Sequence, residues 1–117
     1  MTEVLCKTFD TTTNATISGT ADKYLNIVGI YVCNNETNPA TDVSITFVFT
    51  DDTIILYGDS TGGLALRGDG GDWGLPVNEE SVGDPYFKSL TTNAGFFIAN
   101  VQAIRMSGAI WYYFSDT

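Results

Sequence analysis

Short runs of Thr, Val, Ile, Tyr and Phe, broken every few residues by Gly, Asn, Asp or Pro, fill nearly the whole chain. β-Branched and aromatic residues suit a pleated surface and the breakers suit turns, so this pattern confines the chain to strands. No window of a dozen residues carries a helical apolar repeat. Strands are expected over 2–9, 13–19, 24–33, 41–50, 53–57, 63–67, 85–90, 95–101 and 107–114. The clearest turn signals are Asn34-Asn35 through Asn38-Pro39, Asp51-Asp52, Gly62-Gly63, Gly68 through Gly74, and Gly83-Asp84-Pro85. Many short strands at close spacing predict an all-β, antiparallel sandwich or barrel of about eight to nine strands. With 117 residues, no internal repeat and no linker, a single domain spans 1–117. Residues 1–18 form either an N-terminal arm or an edge strand.

The faces of these strands differ in kind. In 41–50, Val43, Ile45, Phe47 and Phe49 alternate with Ser44, Thr46 and Thr50, with Val48 the exception, which marks a strand with one wet face. Three other strands are apolar on both sides. Tyr24, Val28, Ile30 and Val32 oppose Leu25, Ile27, Tyr31 and Cys33. Phe96 and Ile98 oppose Phe97, Ala99 and Val101. Ile110, Tyr112 and Phe114 oppose Ala109, Trp111 and Tyr113. A two-layer sandwich has one core, so each strand should keep a polar side. The surplus apolar faces need a second cover: another copy of the chain, or the protein's own loop or N-terminal strand. Tyr31, Phe97, Trp111 and Tyr113 are the candidates for self-association.

Charge narrows the function. The net charge is −9, and residues 51–84 hold eight acids against Arg67 alone, together with eight of the twelve glycines. An acidic field repels phosphate backbones, which argues against nucleic acid. No apolar run is long enough to span a bilayer, and no basic segment precedes an apolar one as in a secretory signal, so no membrane and no export are expected. The chain has no histidine, which removes the commonest general base and a common zinc ligand. A Ser-His-Asp triad is therefore impossible, and neither a Walker A sequence nor a strand-to-helix GxGxxG occurs. No catalytic residue and no cofactor are assigned, and the chain is expected not to be an enzyme.

Several features invite closer scrutiny. Asp69 and Asp72 lie three residues apart in a glycine-rich loop and are weak candidates for calcium, but the spacing is not that of an EF-hand and no glutamate closes it. A solvated turn is the plainer account, and no metal is assigned. Arg67-Gly68-Asp69 spells a cell-adhesion tripeptide that chance often supplies. Asn14-Ala15-Thr16 and Asn35-Glu36-Thr37 match the glycosylation sequon, which means little without export. Cys6 and Cys33 read as two buried free thiols or as one disulfide. Trp73 and Tyr86 are surface-contact candidates, although Trp73 equally suits a half-buried plug at one end of the sandwich.

Certain stretches resemble a known family. They are Gly19 with Lys23-Tyr24-Leu25-Asn26-Ile27-Val28-Gly29-Ile30-Tyr31, the strand Val43 to Phe49, and Trp73-Gly74-Leu75-Pro76. They continue with Pro85-Tyr86-Phe87 to Ala94-Gly95, Phe96 to Val101, and Ser107-Gly108-Ala109-Ile110-Trp111-Tyr112-Tyr113. Over about residues 19–114 the chain resembles small jelly-roll phage capsid decoration (cement) and head-fibre proteins that form trimers. The resemblance implies a jelly-roll sandwich that assembles as a homotrimer on the exterior of an icosahedral head. There it would bridge subunits of the major capsid protein and stabilise the virion. Assembly in the host cytoplasm accords with unpaired cysteines. The alternatives are a carbohydrate-binding or lectin-like module using Trp73, Tyr57, Tyr86 and Asn78, and another phage structural jelly roll, in the tail or baseplate.

Overall fold

The clean alternation of strand 43–49 sets one inner surface, and the rest of the fold is built to cover it. The computed structural model describes residues 3–37, 43–51, 54–55, 64–68, 70–100 and 102–117. Its strands are β1 (Leu5–Thr11), β2 (Ala15–Ile17), β3 (Tyr24–Asn34), β4 (Val43–Phe49), β5 (Ile54–Ile55), β6 (Leu64–Leu66), β7 (Asp72–Leu75), β8 (Phe87–Lys88), β9 (Phe96–Ala99) and β10 (Met106–Ser115), with one short helix, α1 (Glu79–Gly83). The first sheet runs β1-β10-β3-β7, with β8 also on β3, and the second runs β2-β9-β4-β5, with β6 also on β4. All pairs are antiparallel. β7 and β8 share β3, and β5 and β6 share β4, so the ten strands among the described residues fill eight lanes in two packed sheets. The order is that of a jelly-roll sandwich.

The core lies between the sheets. Ile45, Phe47 and Phe49 of β4 and Phe96 and Ile98 of β9 face Leu25, Ile27, Ile30 and Val32 of β3 and Met106 and Ile110 of β10. Residues 3–18 supply β1, an edge strand of the first sheet, and β2, an edge strand of the second. Asn100 pins the turn between β9 and β10: its Nδ2 donates to the Ile104 carbonyl at 2.9 Å, and its Oδ1 accepts from the Ile104 amide at 3.1 Å.

The faces of β3 differ from strict alternation. Trp111 stands opposite Gly29 and Tyr112 opposite Ile27, which leaves Val28 as an extra residue. One extra residue in a strand reverses the phase of every side chain beyond it. Leu25 and Ile27 point inward before the bulge, and Ile30 and Val32 point inward after it. The expectation that Ile30 and Val32 oppose Leu25 and Ile27 is thereby corrected. Tyr31 and Cys33 turn outward, and Val28 is buried without joining the core between the sheets.

Two elements depart from the expected turns. β7 begins within the expected turn Gly68 through Gly74; its Trp73 pairs with Val32 and its Leu75 with Ile30. Cross-strand packing overrides the weak strand preference of Asp and Gly. α1 is closed by a reciprocal cap: Asn78 Oδ1 accepts from the Ser81 amide at 2.8 Å, and Ser81 Oγ accepts from the Asn78 amide at 2.9 Å.

Candidate functional site

The outward side of the first sheet carries the most distinctive surface. Tyr113 and Trp111 of β10 point there, together with Tyr31 of β3 and Cys6 of β1, because Ile110 and Met106 point inward. The segment after β7 folds back over part of this face. Val77 packs onto Gly29, where a Cβ would stand 2.3 Å from Val77 Cγ2 and 3.1 Å from Trp111 Cε3. The Tyr113 hydroxyl donates to the Val82 carbonyl of α1 at 3.1 Å. One end of the face is thus covered by the protein itself.

The other end stays open as an apolar groove of about 510 Å³. Tyr31 and Trp111 line it from the sheet, and Gly74, Leu75, Pro76 and Val77 line it from the returning segment, with Ile30 alongside. Its size falls within the range of small-ligand sites. Tyr31 is 39% exposed, high for an aromatic residue in the middle of a sheet. The Tyr31 hydroxyl donates to Asp72 Oδ2 at 2.9 Å, which places a carboxylate at the tip of the ring. That hydrogen bond, reinforced by the carboxylate's charge, pushes the Tyr31 phenol up to about 12.

The folded chain therefore keeps a proton that an unfolded tyrosine, with its pKa near 10, would release. The stability this contributes is fully present below about pH 10 and is lost as pH rises through about 12. In Asp72→Asn the Tyr31 phenol is expected to titrate nearer 10, as read by ring-carbon NMR shifts. Identical titrations in the two proteins would remove the assigned cause.

The other candidates are dispersed. Trp73 faces the core and stacks on Phe47 with centroids 5.4 Å apart, which is the half-buried role. Tyr86 packs against the same core, and its hydroxyl donates to the Pro76 carbonyl at 2.7 Å. Asn78 caps α1. Phe97 is half-buried on the outward side of the second sheet, in a row with Thr16 and Val48. Tyr57 and Asp69 lie outside the described residues. Among the described residues no group of three or more His, Cys, Asp or Glu is placed to hold a metal ion.

The sequon asparagines are both engaged: Asn14 Oδ1 accepts from the Asn100 amide, and Asn35 Nδ2 donates to Ser107 Oγ at 2.6 Å. Cys6 and Cys33 are free thiols, exposed and half-buried respectively. β10 separates their strands, so two strand spacings of about 4.8 Å already exceed the reach of a disulfide.

Sequence reasoning missed the returning wall, Pro76–Val77 and α1. The cap Asn78-Glu79-Glu80-Ser81 was a readable helix-start signal, since Asn at the cap and a hydroxyl three residues on can exchange hydrogen bonds with the backbone. No protein-family model, curated protein or solved structure matches the chain.

Proposed function

We propose that the chain is a structural virion protein, a capsid decoration protein that binds the outside of an icosahedral phage head as a homotrimer and stabilises it. Its jelly-roll order and its resemblance to decoration proteins support this reading. The observation that carries self-association is the outward face of the second sheet. Thr16, Phe97 and Val48 form one row there, with Thr46 and Ala99 beside it, and none of these is charged. Copies that each carry −9 repel one another, so they meet at least cost through an uncharged face. Three such faces can close around a three-fold axis. The Tyr113 hydroxyl is already engaged by α1. The carbohydrate-binding alternative loses Trp73, Tyr86 and Asn78, each already used within the fold.

Light scattering behind size exclusion is expected to give three times 12.6 kDa. Phe97→Glu is expected to give a folded monomer that no longer protects shells lacking the protein against heat. A wild-type chain that neither self-associates nor binds such shells would end the proposal. A Phe97→Glu trimer would move the interface elsewhere.

A further inference from the structure

The Tyr31–Trp111 groove calls for an occupant, and its chemistry selects one. Its floor and walls are apolar, two aromatic rings flank it, and Asp72 stands at the tip of one ring. By register, the described strand residues pointing outward from the first sheet include two acids, Asp10 and Asp72, and one cation, Lys88. Lys88 lies at the far end, where its Nζ stands 5.0 Å above the Tyr24 ring. The molecule thus already places a cation on an aromatic face once, and the groove offers the same surface with a carboxylate added and no cation of its own. A second copy of the chain would bring Asp10 and Asp72 against a partner of the same charge, whereas a cationic guest meets complementary charge.

We propose that this groove docks an arginine or lysine side chain of a basic peptide segment. The aliphatic stem lies against Pro76 and Val77, and the cationic head sits over the Tyr31 and Trp111 rings beside the Asp72 carboxylate. A carboxylate that accepts one hydrogen bond from Tyr31 retains acceptor sites for the guest. Arginine suits the groove better than lysine, since its planar head both stacks and donates in pairs. That the segment belongs to a capsid shell protein rests on the decoration reading; the chemistry of the groove does not.

The test is a titration of the isolated chain with an acetylated, amidated tetra-arginine peptide, followed by the indole N–H signals of the two tryptophans. The Trp111 signal is expected to shift and saturate, while Trp73, packed on Phe47, stays in place. Asp72→Asn is expected to weaken binding about tenfold, the worth of one charge-assisted contact. Asp22→Asn, an exposed site with a backbone that asparagine tolerates, is expected to change it less than about twofold. Trp111→Ala is expected to abolish saturable binding, and the Asp72 variant keeps the test decisive should that chain fail to fold.

An unmoved Trp111 signal would overturn the site. So would equal losses in the Asp22 and Asp72 variants, which mean diffuse attraction to an acidic protein, or a response of Trp111 to cellotetraose but not to the peptide, which means a sugar site. Shell binding without peptide binding refutes the groove and leaves decoration standing. Peptide binding without shell binding does the reverse.

Discussion

Gly108→Ala is expected to cost more than about 3 kcal/mol, a large share of the roughly 5–15 kcal/mol that holds a domain folded. Gly108 lies in β10, the strand between β1 and β3, opposite Phe9 on one side and Val32 on the other. A Cβ there would stand 1.9 Å from the Tyr31 carbonyl oxygen and 2.8 Å from its carbon. Those are backbone atoms of a paired strand and cannot step aside without breaking the ladder. The Phe9 ring approaches from the other side, with its Cζ 3.0 Å from the same point, and so fills the space a side chain would take. Urea unfolding at fixed protein concentration measures the effect. A midpoint within error of wild type would mean that β10 and β3 can separate locally at no cost.

Phe47→Ala is expected to cost about 3–5 kcal/mol. Phe47 is fully buried at the centre of the sandwich, with Trp73 at 5.4 Å and Phe87 and Phe96 both at 6.3 Å between ring centroids. Removing it opens a cavity among three rings that cannot all move inward, because each is fixed to a different strand. The emission of Trp73 is expected to shift to the red as water reaches its ring. Phe97→Ala, one residue along β9 from Phe96 but facing outward, is the internal comparison and should destabilise the isolated chain much less. Equal losses at the two positions would contradict the assignment of faces.

The strand map was legible because its signals are local. Val43–Phe49 alternates except at Val48, and Ile45, Phe47 and Phe49 do point inward. Met106–Ser115 also keeps its phase, so Ile110 and Trp111 fall on opposite sides as the pattern requires. β3 broke the rule because a bulge is a relation between two strands, and a single run of apolar residues does not state its partner's register. Gly29, beside the extra Val28, was the one clue, since an interior strand glycine often marks a bulge or a close approach.

The groove was half legible. Tyr31 and Trp111 stood out as surplus outward aromatics. Their opposite wall, Leu75–Val77, comes from a stretch rich in Gly and Asp whose placement depends on pairing with β3 some 40 residues earlier. No local preference encodes that pairing. Asp72 stood out only as a weak calcium candidate, whereas its bond to the Tyr31 hydroxyl follows from the same distant register.

The position of β9 and β10 has a consequence for how the chain reaches this fold. Among the described residues β1 pairs only with β10 and β2 only with β9, and Leu5 lies opposite Tyr112. Neither early strand can find its place until residues 96–115 have left the ribosome, and the closing pairs span about a hundred residues. Contacts so distant in sequence make folding slow, because the loop must close before any pairing repays its entropy. Through that interval β3 and β4 present bare backbone edges and their share of the core to solvent. During synthesis the hazard is sticking to a neighbouring nascent chain, so yield in the cell depends on how fast residues 96–115 zip in between strands made long before.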